Sequence, residues 1–270
     1  MFLFFYNLSI AFYTLAVRMA SFSNVKAKLW LVGRKNIFKN ISASLIENEN
    51  RIWIHCASVG EFEQGRPVIE KLKQDFPQYK IVLTFFSPSV YELRKNYELA
   101  DYVFYLPVDT KKNAEKFISL INPKMAVFVK YEFWYHYLHT LHQKNIPAIL
   151  ISANFRRDQI FFKWYGKKWK YILNSFEHLF IQNESSSELL SSIGLKNKFI
   201  VSGDTRFDRV ISISKNPFSV IPIENWVKDA FVIVAGSTWE PDENILLEYL
   251  KKDTTGCKLI MVPHEVDRNH

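Results

Sequence analysis

A carboxylate that could act as a general base stands on the turn after the first apolar, β-rich run of the chain. Residues 51–57 lead into Ser58-Val59-Gly60-Glu61, and a helical pattern follows over residues 62–74. Ligands of an open parallel sheet gather beyond the carboxyl ends of its strands, so this turn is placed for chemistry. An ionised Glu accepts a proton from a hydroxyl group held within hydrogen-bond reach. Glu61 is therefore the candidate general base.

The same turn allows a purely structural interpretation. Ser58 and Glu61 have the spacing of a capping box, in which the serine caps the helix and the glutamate turns back to the serine amide. Spacing alone favours this interpretation. Glu132 also lies just past an apolar run, 125–129, beside Trp134. Its structural interpretation is a solvated loop carboxylate.

A second turn, Gly236-Ser237-Thr238, could hold a phosphate. It separates the apolar run 231–235 from a helical pattern, and backbone amides at a helix start bind anions. Ser237 and Glu240 also have capping-box spacing, so the turn is weak evidence by itself.

Four potential metal ligands stand near the end of the chain, namely His264, Glu265, Asp267 and His270. Their spacing differs from the two-histidine helical pattern of zinc hydrolases. We therefore predict no metal site and no cofactor.

Basic and aromatic residues are interleaved over residues 156–171. The basic ones are Arg156, Arg157, Lys163, Lys167, Lys168 and Lys170, and the aromatic ones are Phe161, Phe162, Trp164, Tyr165, Trp169 and Tyr171. Such a mixture suits single-stranded nucleic acid, a membrane interface or a phosphorylated lipid, or a solvated amphipathic helix. The apolar N-terminus favours the membrane.

These residues need a scaffold, and the hydrophobic pattern predicts a doubly wound α/β lobe. Apolar, β-rich runs alternate with helical patterns at residues 51–57, 80–84, 102–105, 125–129, 148–152 and 178–181. This alternation is typical of βαβ units on a parallel sheet. A further strand at 199–202 leads into Gly203-Asp204-Thr205-Arg206-Phe207-Asp208.

A second lobe follows the irregular stretch 216–222, with strands predicted at 231–235 and 258–262. Two strands cannot cover both faces of a parallel sheet, so we expect an incomplete lobe. The predicted divisions are a membrane anchor with a basic juxtamembrane segment (1–39), a first lobe (40–205) and the start of a second lobe (206–270).

The N-terminal stretch 1–17 is apolar and uncharged. Six basic residues follow before the first acid, namely Arg18, Lys26, Lys28, Arg34, Lys35 and Lys39. A cleaved signal peptide has its basic residues before the apolar core, so we expect an uncleaved anchor with the protein body on the cytoplasmic side. The stretch is marginal for a span of about 20 residues, which leaves an interfacial helix and a core helix as alternatives.

The composition fits a basic protein that folds mostly in water. The 270 residues are 48% hydrophobic and 23% charged, with a net charge of +8. These values exclude a disordered chain and a multi-span membrane protein, and they favour anionic partners. Cys56 and Cys257 lie in separate apolar runs, which indicates a reducing compartment.

Several motifs together resemble the Kdo (3-deoxy-D-manno-octulosonic acid) transferases. Ala57-Ser58-Val59-Gly60-Glu61 is similar to the family motif whose Glu activates the acceptor hydroxyl. Further matches follow in the family's order: Leu106-Pro107-Val108-Asp109-Thr110, Lys130-Tyr131-Glu132-Phe133-Trp134, Ser152-Ala153-Asn154-Phe155-Arg156, Gly203-Asp204-Thr205-Arg206-Phe207-Asp208 and Gly236-Ser237-Thr238.

The resemblance implies a GT-B fold of two Rossmann-like lobes, the acceptor on the first and the CMP-sugar mainly on the second. It implies catalysis by Glu61, acceptor contacts from Ser58, Gly60, Glu132 and Arg156, and donor contacts from Arg206, Gly236, Ser237 and Thr238. Tyr135, Arg206 and Trp239 depart from the Pro, Lys and His that the family commonly has, and Pro263-His264-Glu265 departs from Pro-Arg-His.

The implied function is an inverting, metal-independent transfer of Kdo from CMP-Kdo to the lipid A precursor (lipid IVA) at the cytoplasmic face of the inner membrane. The implied partners are CMP-Kdo, that lipid and the membrane, without nucleic acid. Two alternatives stay open: another GT-B glycosyltransferase that uses a UDP-sugar, and a non-catalytic, membrane-attached binding protein.

Overall fold

The computed structural model describes residues 2–215, 219–252 and 256–264. The chain forms two compact units, Met1–Ser212 and Ile213–His270. The first unit therefore extends beyond the predicted division at residue 205 and includes Arg206. Three of the potential metal ligands, Glu265, Asp267 and His270, lie outside the described residues.

The first unit is built on a seven-stranded parallel sheet. Its strands are β1 (Arg51–Cys56), β2 (Lys80–Phe85), β3 (Tyr102–Tyr105), β4 (Pro123–Val129), β5 (Ala148–Ala153), β6 (His178–Ile181) and β7 (Phe199–Val201). The order β3-β2-β1-β4-β5-β6-β7 reverses between β1 and β4, where a doubly wound sheet opens a ligand crevice. The predicted α/β architecture is confirmed.

Helices connect these strands and also precede them. They are α1 (Phe2–Ala20), α2 (Val25–Arg34), α3 (Ile37–Ser44), α4 (Val59–Asp75), α5 (Pro88–Arg94), α6 (Lys111–Ile121), α7 (Tyr135–Gln143), α8 (Lys170–Asn174), α9 (Glu184–Ser192) and α10 (Arg206–Lys215). Two short 3-10 turns, Ile160–Phe162 and Trp164–Lys168, lie between β5 and α8.

The central strand β1 is buried on both faces, and all six of its residues are buried. Ile52 and Ile54 pack into one apolar cluster together with Phe62 of α4, whereas Trp53 packs into a second cluster on the other face. Since strand side chains alternate between faces, the polar residue His55 lies on the same face as Trp53.

Helix α4 lies unusually close to the sheet because it carries a glycine at the point of contact. A Cβ atom at Gly65 would lie 3.0 Å from Cys56 Sγ and 3.3 Å from Val129 Cγ2. Both distances are at the short limit of real contacts, so Gly65 allows the close approach. The position of the first turn of α4, with Glu61, depends on this contact with β1 and β4.

Helix α1 is the one helix in the described part of the chain that is long and apolar enough to cross a membrane, by length and composition. Tyr6 is buried against the first unit, whereas Phe4, Phe12 and Met19 are each more than 60% exposed. The alternative of a buried core helix is therefore wrong, since most of the apolar surface of α1 is uncovered.

Arg34, one of the basic residues of the predicted juxtamembrane segment 1–39, points into the protein. Its guanidinium donates to the carbonyl oxygens of Leu106 (2.9 Å), Phe86 (2.9 Å) and Trp30 (3.1 Å), and it lies 4.0 Å from the centre of the Trp30 ring. Burial lowers the pKa of Arg34 to about 9. Arg34 thus ties α2 to the loops that follow β2 and β3.

The second unit contains α11 (Ile221–Val227), β8 (Val232–Thr238), α12 (Glu240–Lys252) and β9 (Lys258–Pro263). Strands β8 and β9 pair in parallel, with Val232 opposite Lys258. Parallel pairing across a crossover helix is a Rossmann-like unit. The two predicted strands are confirmed, and β8 is longer than expected.

Candidate functional site

Glu61 forms the capping box that its spacing predicts. Glu61 Oε2 accepts a hydrogen bond from Ser58 N at 2.8 Å, and Glu61 N donates to Ser58 Oγ at 3.4 Å. The other carboxylate oxygen, Oε1, accepts no hydrogen bond from the described residues. Capping therefore occupies one oxygen of Glu61 and leaves the second available, so the structural and the catalytic interpretations are compatible.

The residues beside Glu61 leave open space around the start of α4. Ser58 and Gly60 are both exposed, and a Cβ atom at Gly60 would meet no described atom within 4 Å. The first turn of α4 thus has open space next to Glu61, as an incoming substrate would require.

Glu132 is not a solvated loop carboxylate, because it is only 7% exposed and accepts hydrogen bonds from other side chains of the protein. Its Oε2 accepts hydrogen bonds from His55 Nε2 at 3.0 Å and from the indole nitrogen of Trp134. Lys130, just after β4, adopts a positive φ of 69°. This left-handed residue redirects the chain at the end of β4, ahead of Glu132.

The negative charge of Glu132 acts on Glu61. Partial burial of Glu61 and the negative charge of Glu132 raise the pKa of Glu61, against the opposing effects of His55 and Ser58. A carboxylate with a raised pKa binds a proton more strongly, which suits a general base. The carboxylates after β1 and β4 are therefore close enough to interact, at the point where the strand order reverses.

His55 and Thr84 were missed by the sequence analysis. His55 is fully buried, and its Nδ1 lies 2.9 Å from Thr84 Oγ1 and 3.1 Å from Thr84 O. The available signal was a polar residue near the carboxyl end of an otherwise apolar strand, in both β1 and β2. Buried polar residues need partners, and here their partners lead to Glu132.

Arg206 lies at the same edge of the sheet as α4. It forms two hydrogen bonds to Asp204 Oδ2, at 2.6 and 2.9 Å, and Asp204 Oδ1 accepts a hydrogen bond from Gln64 of α4 at 3.0 Å. Burial alone would raise the pKa of Asp204, but the bonds from Arg206 and Gln64 outweigh it and lower the pKa. The structure thus connects Arg206 to α4, three residues after Glu61.

Arg156 lies in the loop after β5, beside a cavity that it shares with α9. Its guanidinium is 3.5 Å from Asp158 and 5.8 Å from the centre of the Tyr131 ring. With Arg157 it lines a cavity of about 610 Å³ whose apolar lining includes Phe155. Residues 156–169 form a loop with two 3-10 turns and α8 begins at Lys170, so the stretch 156–171 is not one amphipathic helix.

The predicted turn at Gly236, Ser237 and Thr238 is wrong, because these residues form the end of β8. Ser237 has a φ of 60° at an irregularity of the strand pairing. Its Oγ lies 2.6 Å from His264 Nδ1 and does not cap α12. The predicted capping box with Glu240 is therefore absent in this described segment.

The start of α12 is also a poor phosphate site as it stands. Its first turn contains Glu240, Asp242 and Glu243. Asp242 accepts a hydrogen bond from Trp239 N at 3.0 Å. Acidic side chains already complement the positive end of this helix.

A comparison with protein families identifies the family of the chain. The model of the 3-deoxy-D-manno-octulosonic-acid transferase (kdotransferase) family matches residues 32–209, well over half of the chain. The chain belongs to this family. The match includes Glu61, Glu132, Arg156 and Arg206.

Curated kdotransferases are similar to the chain over most of its length. The protein of Haemophilus influenzae is 28% identical over 80% of the chain and 52% of that relative. The protein of Aquifex aeolicus is 27% identical over 83% of the chain and 57% of the relative. A bifunctional glycosyltransferase/methyltransferase of Fusobacterium nucleatum is 29% identical, with 36% of its length covered. The chain thus spans about half the length of the kdotransferases it matches.

Solved structures extend the likeness to the fold. A putative UDP-N-acetylglucosamine 2-epimerase of Listeria monocytogenes aligns with a TM-score of 0.59 at 11% identity, over 82% of the chain and 64% of that protein. The UDP-GlcNAc 2-epimerase of Neisseria meningitidis aligns with a TM-score of 0.58 at 18% identity, over 81% of the chain and 66% of that protein. These GT-B-like neighbours confirm the predicted fold of the kdotransferase chain and carry no information on its substrate.

Proposed function

We propose that the chain provides the acceptor-activating part of an inverting transferase that moves Kdo from CMP-Kdo to the lipid A precursor. The observation that carries this proposal is the position of Glu61. One oxygen is fixed by the Ser58 amide, its pKa is raised, and open space lies beside it at Gly60. In the proposed reaction the free oxygen takes the proton of the acceptor hydroxyl while that hydroxyl attacks the sugar and CMP leaves.

The other candidate residues have supporting roles in this proposal. Ser58, Gly60, Glu132 and Arg156 contact the acceptor, and the arginine suits its phosphate groups because a guanidinium binds phosphate in a bidentate manner. Arg206 lies close enough to α4 to stabilise negative charge on the departing group. Gly236, Ser237 and Thr238 stay assigned to the donor, with Ser237 Oγ in place of the helix amides as the contact group.

The transfer reaction tests the role of Glu61 directly. The protein is incubated with CMP-Kdo and lipid A precursor, and the lipid product is weighed by mass spectrometry. Glu61→Gln keeps an oxygen for the Ser58 amide but cannot accept the proton, so we expect the rate to fall by at least about 10²-fold. Glu63→Gln is the matched control, since Glu63 on the same helix pairs with Arg94 at 3.1 Å. Full activity of the Glu61→Gln protein would reject the proposal.

Donor competition separates the remaining alternatives. Inhibition by CMP with no effect of UDP supports the Kdo donor, and inhibition by UDP alone supports a UDP-sugar transferase. Binding of the lipid without any transfer supports a non-catalytic, membrane-attached binding protein.

The proposed location is the cytoplasmic face of the inner membrane, with α1 in contact with lipid. The exposed apolar residues of α1 support it, as do the exposed Lys26 and Lys28 at the start of α2, which suit anionic headgroups. Phe4→Ser combined with Phe12→Ser should reduce sedimentation with anionic vesicles. Unchanged sedimentation would contradict this location.

A further inference from the structure

A buried chain of hydrogen bonds runs from the core of the first unit to Glu132. Trp53 Nε1 donates to Thr84 Oγ1 at 2.8 Å, Thr84 Oγ1 lies 2.9 Å from His55 Nδ1, and His55 Nε2 lies 3.0 Å from Glu132 Oε2. Trp53, His55 and Thr84 are fully buried. This arrangement determines which atoms carry protons.

The hydroxyl of Thr84 and the carboxylate of Glu132 together favour one tautomer of a neutral His55. Thr84 Oγ1 accepts the indole proton of Trp53, and its own proton is within reach of His55 Nδ1 at 2.9 Å and of Ile54 O at 3.4 Å. Nε2 lies 3.0 Å from a carboxylate oxygen, and an ionised carboxylate only accepts hydrogen bonds. A neutral His55 beside ionised Glu132 therefore carries its proton on Nε2 and accepts the Thr84 hydroxyl proton at Nδ1.

A doubly protonated His55 leads to the same result at Nε2. In that form Nδ1 donates to the carbonyl oxygen Thr84 O at 3.1 Å, and Nε2 still carries a proton. In both forms the Nε2 proton is donated to Glu132. Beside an ionised Glu132, Nε2 is thus the donor in both charge states of the imidazole.

Both donors to Glu132 contact the same oxygen. His55 Nε2 and Trp134 Nε1 donate to Oε2, and Oε1 accepts no hydrogen bond from residues that the structure describes. A buried carboxylate with no partner would be costly, and the two donors on Oε2 reduce that cost while leaving Oε1 free. We propose that His55 is a positioning residue that holds Glu132 by one oxygen and so presents the other to the acceptor.

This proposal rests on the proposed function, since it assigns Glu132 to the same acceptor site. It goes further by naming the residue that orients Glu132, and by predicting that the orientation is built into the core. Because a misplaced contact group costs about 10²-fold in rate, loss of the His55 donor should act mainly on the rate constant of transfer.

Transfer kinetics of three variants test whether His55 positions Glu132. His55→Phe fills the volume but has no donor, and we expect kcat to fall by about 10²-fold. His55→Gln keeps an amide donor for Glu132, and we expect it to recover at least about a tenth of the wild-type kcat. Tyr137→Phe is the control, because it removes another buried hydrogen bond, to Pro107 O at 2.9 Å, and should lose stability with kcat unchanged. Equal kcat values for His55→Phe and wild type would overturn the proposal, as would equal losses in His55→Phe and Tyr137→Phe.

Nitrogen-15 NMR of the histidine ring gives an answer that does not depend on catalysis. The wild-type protein should show a protonated Nε2 at His55, and an unprotonated Nε2 would overturn the proposal. If the wild-type protein transfers no sugar, the proposed function fails, whereas the ring spectrum still decides whether His55 donates to Glu132.

Discussion

Tyr6 of α1 donates a hydrogen bond from its hydroxyl group to the buried carboxylate of Asp109. The same carboxylate accepts hydrogen bonds from the backbone amides of His136 and Tyr137, each at 3.1 Å. These amides belong to the first turn of α7, which begins three residues after Glu132. Asp109 therefore joins the N-terminal helix to the helix that follows a candidate acceptor contact.

Removal of the Tyr6 hydroxyl should destabilise the first unit. Tyr6→Phe leaves Asp109 with one donor fewer in a buried position, and a buried polar group that loses a partner costs about 1–3 kcal/mol. Urea unfolding followed by tryptophan fluorescence measures the difference. Tyr13→Phe is the control, because Tyr13 is 44% exposed on the same helix. Equal stabilities of the two variants would show that the Tyr6 contact is not formed.

Asp109 should make stability depend on pH in an unusual direction. Burial raises the pKa of Asp109 from 3.8 to about 6, against the hydrogen bonds that lower it. Between these values the folded protein binds more protons than the unfolded chain, so the free energy of unfolding falls as the pH rises. The difference between these two pKa values corresponds to about 3 kcal/mol of folding stability, which is lost between about pH 4 and pH 7.

Comparison with Asp109→Asn isolates this contribution. The lowered pKa of Asp101 and of Asp204 acts in the opposite sense, since the stability from those groups is lost as the pH falls. These contributions are common to both proteins. The difference in unfolding free energy between wild type and Asp109→Asn should therefore shrink as the pH rises, and a constant difference would contradict the raised pKa.

Two glycines of α4 should respond in opposite ways to substitution by alanine. Gly65→Ala forces the helix away from Cys56 and Val129, and we expect a loss of about 1–3 kcal/mol, typical of overpacking, with reduced transfer. Gly60→Ala places a methyl group in open space, so stability should rise by about 0.5 kcal/mol from helix propensity. Transfer by the Gly60→Ala protein should still fall, because the methyl group stands beside Glu61. Unfolding and transfer assays on both variants check this pair.

Replacement of Arg34 by lysine should destabilise the first unit. An ammonium group cannot reach Phe86 O and Leu106 O in the way the guanidinium does, and each hydrogen bond to a charged group contributes about 1.5–3 kcal/mol. Arg34→Lys should therefore lose at least about 2 kcal/mol in urea unfolding. Lys35→Met, at an exposed neighbouring position, should change stability by less than about 0.5 kcal/mol. Similar losses of stability in the two variants would show that Arg34 does not hold α2 to the loops after β2 and β3.

The sequence alone predicted those features that depend on residues close together in the chain, such as strands and helix caps. The apolar runs predicted the strands, and the capping box of Ser58 and Glu61 follows from their spacing. The parallel sheet then placed Glu61 and Glu132 at one edge, since both follow strands whose carboxyl ends lie together.

What could not be predicted depends on residues far apart in the sequence. His55 and Thr84 are polar residues in apolar strands, and their meaning appears only when β1 and β2 pair with His55 beside Thr84. Tyr6 reaches Asp109 across 103 positions. The wrong turn at Ser237 has a local cause: one left-handed residue let β8 continue through a segment whose composition resembled a helix start.

The contact between Tyr6 and Asp109 has a practical consequence for handling the protein. A shortened form beginning after Ala20 would be the obvious choice for improving solubility, because it removes the exposed apolar residues of α1. The same deletion would remove Tyr6 and uncover the carboxylate beneath it, close to the start of α7. Detergent around an intact N-terminus is therefore the better way to keep the protein in solution with its folded state unchanged.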